Sequence, residues 1–251
     1  MLFEFSNQIL AAKLNVEKPK KEFVSKKIVT DSRKISKGDC FLALKGPNFN
    51  GHDFIDEALD RGASFIISEK NHPKDEKILG VNSTHECLSF LAKYQRKKFE
   101  GKVVGITGSN GKTTTTKIIA STLKSSSKTI SNFNNEIGMP LSIMNASSKS
   151  KNIVLEIGAS KFNDIDYLSN IIQPYIGVIT NIGNSHLDAL KNIDGVLRVK
   201  SEVVKNIKKG GYLVVPNENK KHLEHWKKIR SDIEIKTFGM SKDADFYPAK
   251  I

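Results

Sequence analysis

The chain has 251 residues, 38% hydrophobic and 8% aromatic, the balance of a soluble globular protein with one large or two smaller domains. No apolar run approaches the ~20 residues that span a bilayer, and the opening MLFEFSNQIL lacks the basic-then-apolar order of a secretory signal. The net charge is +13, but its lysines and arginines are scattered in short groups such as KPKKEF, QRKKF and HWKKIR without interleaved aromatics, which favours a lysine-rich surface assisting an anionic substrate over a nucleic-acid groove.

Taken in chain order, short apolar runs alternate with amphipathic stretches, the signature of α/β layering. CFLAL (40–44) predicts a strand, HDFIDEALDRGA (52–63) a helix, SFIIS (64–68) a strand and THECLSFLAKYQRKKF (84–99) a helix with a basic end. The polar pair Gly101-Lys102 then opens strand VVGIT (103–107), so a domain boundary is expected near residue 100. Beyond it come helix TTTTKIIASTLKS (113–125), strand NIVLEIG (152–158), a helix around 163–172, strand IGVITN (176–181), a helix carrying Lys200 and strand YLVVPN (212–217). These strands are β-branched and apolar on both faces, as a buried parallel sheet requires. KSSSK and NASSKSK read as loop tips. Cys40 and Cys87 lie far apart and predict no disulfide framework, so the expected compartment is the cytoplasm.

The most informative stretch is VVGITGSNGKTTTTKII, in which a buried strand runs into Gly108, Ser109, Asn110, Gly111, Lys112, Thr113 and Thr114, and a helix follows at once. Glycines let the backbone wrap phosphate oxygens, and amides at the helix start point at the anion. Lys112 can reach the outer phosphates and the Thr113 hydroxyl can ligate magnesium. One departure stands out: the strict Walker spacing places glycine at 106, where this chain has Ile106.

Further on, Ile193, Val196, Leu197, Val203, Val204 and Ile207 form one apolar stripe at helical spacing, and Lys200 sits on it. A lysine facing a core must snorkel, find a partner such as Glu202, or lose its charge.

These motifs, in this order, resemble the Mur ligases of peptidoglycan synthesis. TGSNGKTTT matches the family's ATP signature, and DSRKISKGDCFLALKGPNFNGHDFIDEALDRGA (31–63) looks like its UDP-sugar-binding N-terminal domain. NFNNEIGMPLSIM (132–144) and LEIGAS (155–160) are similar to the branch that joins D-alanyl-D-alanine to UDP-N-acetylmuramoyl-tripeptide. The resemblance implies a small UDP-sugar domain (1–100) followed by a P-loop ATPase-like domain with a mostly parallel sheet (101–251). It also implies an ATP- and magnesium-dependent ligase working through an acyl phosphate. Thr113 and Glu156 would hold one magnesium and His186 a second; Asn181 would contact the nucleotide. Lys200 would be carbamylated, becoming an anion that supports the second metal. Lys112, His186 and Lys200 are thus the catalytic candidates. Ser32, Arg33, Lys45, Gly46, Asn50, Gly51 and His52 match the segments receiving the UDP-sugar, and Asn134, Asn135 and Ser160 would face the muramoyl-peptide carboxylate. The expected partners are UDP-MurNAc-tripeptide and D-Ala-D-Ala, with no nucleic acid, no membrane insertion and a monomeric state.

Family members continue beyond SKDADFYPAKI with the rest of the ATPase domain and a third, Rossmann-like domain, so a truncated chain is expected. A non-catalytic UDP-muramoyl-peptide or nucleotide binder is the alternative. The folate polyglutamate ligases share the P-loop but lack a counterpart to residues 31–63.

Overall fold

The computed structural model describes residues 4–25, 27–46, 48–69, 75–130, 132–185 and 187–249. The chain divides into two compact units, Met1–Lys98 with Ile143–Ser148, and Phe99–Ser142 with Lys149–Ile251.

In the first unit, β1 (Phe5–Ser6) pairs antiparallel with β2 (Val24–Ser25). Between them, α1 (Asn7–Leu14) starts where the Ser6 side chain accepts the Ile9 amide and stops at Asn15, whose φ of 54° turns the backbone left-handed. Strands β3 (Ile28–Val29) and β4 (Cys40–Leu42) follow, then a hairpin of β5 (Lys45–Gly46) and β6 (Phe49–Asn50). Helix α2 (Ile55–Asp60), β7 (Phe65–Ser68), β8 (Ile78–Gly80) and α3 (Thr84–Lys98) complete the unit. The parallel sheet has the order β3-β4-β7-β8. Its apolar strand residues Phe41 and Ile66 pack with Ile55 and Ala58 of α2, which is why that helix carries its apolar residues on one side. The sequence predicts one helix over 52–63; instead residues Gly51–Phe54 form a 3₁₀ turn and the α-helix proper ends at Asp60, with Gly62 left-handed at φ +87°. Cys40 and Cys87 are buried free thiols.

The second unit is built on β9 (Lys102–Thr107), α4 (Lys112–Thr122), β10 (Ser126–Lys128), α5 (Gly138–Met144), β11 (Asn152–Glu156), α6 (Asp164–Ile172) and β12 (Ile176–Ile179). It continues through α7 (Leu187–Leu190), α8 (Ile193–Ser201), β13 (Tyr212–Pro216), α9 (Lys220–Ile229) and β14 (Glu234–Phe238). All six strands run parallel in the order β10-β11-β9-β12-β13-β14. The chain leaves β9 toward β10 and later passes from β11 to β12 on the opposite side of β9. Right-handed crossovers in opposite directions place their helices on opposite faces. Accordingly Ala120 and Ile119 of α4 pack on Val104, Val154 and Val178, while the Gly105 position faces Ile157 and Ile172 at the α6 side. The first strand, β9, therefore ends at the switch in winding direction, where ligand crevices form in doubly wound sheets.

Three local expectations change. The helix predicted to 125 ends at Thr122, and KSSSK is no loop tip: Ser126–Lys128 is the edge strand β10, its polar residues suited to an edge paired on one side only. The stripe around Lys200 is not one helix, since α8 ends at Ser201 and Glu202–Asn206 tightens into 3₁₀ geometry. Strand IGVITN stops at Ile179, freeing the next residues to turn back over the glycine loop. Among the described residues no helix is long and apolar enough to cross a membrane.

Candidate functional site

The glycine loop is held by backbone constraints that only glycine meets. Gly108 has φ +141°, and a Cβ there would lie 2.0 Å from Thr180 Oγ1 and 3.0 Å from the Thr180 amide. That close approach lets the Thr180 amide donate to Thr107 O at 2.9 Å and its hydroxyl donate to Asn110 O at 2.6 Å. Gly111, left-handed at φ +77°, opens α4 with no side-chain cap. A Cβ on Gly111 would meet no atom within 4 Å, so the loop faces open space there. The uncapped helix start borders a cleft of about 500 Å³ lined by Ser109–Thr114, Asn132, Asn134, Glu156 and Gly158–Ser160. Orphan amides facing a cleft are suited to an anion.

Lys112 folds back so that Nζ donates to the carbonyls of Gly108 (2.9 Å) and Ser109 (3.0 Å). Burial lowers its pKa, partly countered by the charge of Glu156. Glu156, the last residue of β11, is 3% exposed. Its Oε2 accepts the Thr113 hydroxyl at 2.7 Å and its Oε1 accepts Asn134 Nδ2 at 2.7 Å, while its amide donates to Thr129 Oγ1 at 2.7 Å. The carboxylate is thus oriented from both sides, one hydrogen bond from the threonine that follows the loop lysine.

The structure brings Asn181 to the loop, where its Oδ1 accepts the Asn110 amide at 2.9 Å and its carbonyl accepts the Ser109 amide at 3.2 Å. Ser109 Oγ donates to Gly183 O at 2.8 Å and accepts the Gly183 amide (3.0 Å) and the Ser185 hydroxyl (3.0 Å). Segment 180–185 is therefore stitched to the phosphate loop through Thr180, Asn181, Gly183 and Ser185. His186 lies outside the described residues.

Asn134 faces the cleft but also buttresses Glu156, and its carbonyl accepts the Gly158 amide at 2.8 Å. Asn135 caps the turn into α5, its Oδ1 accepting the Gly138 amide at 2.8 Å. Ser160 is exposed, its amide donating to Asp164 Oδ2 at 2.8 Å. A second cleft of about 580 Å³ shares Asn134 and Gly158–Ser160 with the first and extends along Lys161–Asp164 and Tyr167.

Lys200 is 1% exposed, and among the described residues no hydrogen bond or ion pair reaches its ammonium. Burial chiefly, then the positive charge of Lys112, pushes its pKa down to about 8, against the acids Glu202 and Asp164. Among the described residues no three acid, histidine or cysteine side chains gather to hold a metal. The pair Thr113 and Glu156 still fits magnesium, which binds through one or two protein oxygens, keeps waters and takes the rest of its shell from phosphate.

In the first unit the candidate residues stand at the C-terminal ends of β3 and β4, yet most are engaged in the fold. Ser32 Oγ donates to Glu57 Oε2 at 2.9 Å. Arg33 forks onto Asp31 at 2.9 and 3.0 Å. Gly51 donates to Leu44 O at 2.7 Å, and a Cβ there would collide with that carbonyl. His52 Nε2 accepts the Glu69 amide at 3.0 Å, so Nδ1 carries the proton and donates to Asn50 Oδ1 at 2.8 Å. Lys45 is exposed on the hairpin beside Gly46, whose missing Cβ leaves room for the Phe49 ring.

Sequence reasoning passes over Thr180, Thr129 and Asp164, and names Glu202 only as a candidate partner of Lys200. Only Thr180, next to a strand end, carries a local signal.

The comparisons with known proteins agree with this geometry. Residues 25–96 match the Mur ligase family, catalytic domain, and residues 106–251 the Mur ligase middle domain. A UDP-N-acetylmuramoyl-tripeptide–D-alanyl-D-alanine ligase of Haemophilus influenzae is 35% identical over 243 residues, covering 92% of this chain and 51% of the relative. A crystal structure of MurF from Acinetobacter baumannii superposes with a TM-score of 0.87 at 32% identity, covering 100% of this chain and 56% of that one. MurF from Thermotoga maritima, solved in complex with ADP, gives a TM-score of 0.78 at 35% identity, covering 86% and 50%. The chain spans about half the length of the curated relatives it matches. With two family segments matched in order around an open phosphate loop, the chain belongs to the Mur ligase family.

Proposed function

We propose that this chain carries the UDP-sugar and ATP sites of a ligase joining D-alanyl-D-alanine to UDP-N-acetylmuramoyl-tripeptide. The observation that carries the reading is the uncapped, Gly111-opened start of α4 beside the Lys112, Thr113 and Glu156 side chains. The named activities of the relatives supply the substrates.

In this reading the amides of Gly111, Lys112 and Thr113 cradle the ATP phosphates, and Lys112 exchanges the carbonyls of Gly108 and Ser109 for the outer phosphate oxygens. Its charge then offsets what develops as the γ-phosphoryl passes to the tripeptide carboxylate. The resulting acyl phosphate is attacked by the amine of D-alanyl-D-alanine, forming the peptide bond and releasing phosphate. Thr113 and Glu156 would hold one magnesium, and His186 with Lys200 a second. Bound magnesium would neutralise phosphate charge and orient the transferring group. A bare ammonium at Lys200, buried beside the charge of Lys112, is ill suited to a metal, and its carbamylation by carbon dioxide would supply an anion. Asn134, Asn135 and Ser160 lie on the side of the peptide carboxylate. Ser32, Arg33, Lys45, Gly46, Asn50, Gly51 and His52 shape the UDP-sugar site.

The test is phosphate release by the full-length protein containing this chain, with Mg·ATP, UDP-MurNAc-tripeptide and D-Ala-D-Ala. Release dependent on all three supports the reading; binding of nucleotide and UDP-sugar without release would make the chain a binding module instead. A mass increase of one carbon dioxide on the Lys200 peptide under bicarbonate checks the carbamate.

A further inference from the structure

Helix α6 begins without a side-chain cap of its own. Its N-cap residue Asn163 is left-handed at φ +71° and makes no side-chain capping bond. The two amides that a capping box would satisfy, those of the N-cap and of the third helical residue, both turn to Glu202. Asn163 N donates to Glu202 Oε1 at 2.8 Å and Asp166 N to Oε2 at 3.0 Å. Glu202 is 5% exposed and forms the C-cap of α8, two residues after Lys200. One carboxylate from a distant element thus performs both halves of a cap.

The joint is reinforced beside it. The Asp166 side chain, free of any capping duty, accepts Asn206 Nδ2 at 2.8 Å and pairs with Lys205 at 3.3 Å. On the other side, Asp164 Oδ2 accepts the amides of Ser160 and Lys161 at 2.8 and 3.0 Å, fixing the loop that precedes the helix. Residues 158–160 line both clefts, whereas Lys161–Asp164 and Tyr167 line only the second.

We propose that Glu202 is a positioning residue, holding loop 158–164 and the wall of the second cleft in register with the helix that carries Lys200. It touches neither cleft, and acts through the Asn163 and Asp166 amides. The proposal rests on the ligase reading above and adds to it the residue that shapes the carboxylate-bearing substrate's groove. A loop released from this clamp must be ordered by the substrate itself, which weakens binding there and leaves the phosphate loop intact.

The experiment compares wild type, E202Q and E202A in the full-length protein by steady-state phosphate release and by amide hydrogen exchange of residues 159–168. E202Q keeps the shape but only one acceptor; E202A keeps neither. The expected result is a KM for UDP-MurNAc-tripeptide raised about tenfold in E202Q and further in E202A, with the KM for ATP within about twofold. Exchange at Asn163 and Asp166 should quicken about tenfold or more. Both KM values moving together, neither moving, or unchanged exchange would overturn it. If E202A fails to fold, E202Q decides alone. If the wild type releases no phosphate with these substrates, the ligase reading fails, while exchange at Asn163 and Asp166 still decides whether the clamp exists.

Discussion

The two units use their polar candidate residues in opposite ways. In the first, Ser32, Arg33, Gly51 and His52 are bonded to Glu57, Asp31, Leu44 and Glu69, so their first effect is on the shape of loops. In the second, the start of α4 is left uncapped while the starts of α8 and α9 are closed by Asn192 and Asn219. A helix end without a cap costs stability unless a ligand completes it. The difference separates two kinds of candidate: side chains already bonded within the fold, and backbone amides left open at a helix start.

Mutations can break or sharpen this contrast. The largest effect is expected from K112A, which should lower phosphate release about a thousandfold, in line with losing a preorganised charge at a transferring phosphoryl group. Thermal unfolding should shift little, because removing the half-buried ammonium also removes the cost of its desolvation. N134A should follow, with magnesium affinity down about ten- to a hundredfold in titrations of activity against metal, since Glu156 would lose the group that orients one of its oxygens.

K200M should behave oppositely for activity and stability. The lysine's folded pKa, about 8, lies below its ordinary 10.5, so the folded state resists the proton. Below pH 8 both states are protonated and the full cost, up to ~3 kcal/mol, is present; it fades as pH rises from 8 to 10.5. In carbonate-free buffer K200M should therefore be more stable than wild type at pH 7 and equal to it near pH 10.5, by urea unfolding at each pH. An unchanged difference across that range would refute the buried cation.

In the first unit H52L should destabilise by about 2 kcal/mol, leaving the Glu69 amide and the Asn50 side chain without their ring partner. Its denaturation midpoint should fall while nucleotide affinity of the second unit stays unchanged. The smallest effect is expected from R33A. Its partner Asp31, with a pKa drawn down to about 2 mainly by the Arg33 hydrogen bond, is held on the surface. Stability from that carboxylate is present above pH 4 and lost as pH falls toward 2, and solvent screening limits it to a degree or so in Tm at neutral pH.

What could be read from the residues follows the range of the interactions involved. The phosphate loop is local: strand, glycines, lysine and threonine are adjacent, and one window of sequence contains the whole device. The burial of Lys200 was legible for the same reason, since its stripe lies within a few turns. Glu156 could be placed at a strand end, but its clamp by Thr113 and Asn134 joins three separate segments. The cap of α6 by Glu202 spans 39 and 36 residues and leaves no local trace. Strand β10 was hidden because an edge strand of serines has no apolar alternation, and the bond from the Glu69 amide to His52 joins positions that only the fold brings together.

One buried contact has a practical consequence. Trp226, the chain's single tryptophan, is fully enclosed, and its indole Nε1 donates to the Ser201 hydroxyl at 2.8 Å. That hydroxyl donates in turn to Leu197 O at 2.6 Å, one helical turn back and beside Lys200. The indole is thereby wired to the α8 backbone, so a shift of that helix changes the polarity its excited state senses. Emission from the unlabelled protein becomes an optical gauge of what happens around Lys200, readable in a stopped-flow cuvette without any added dye.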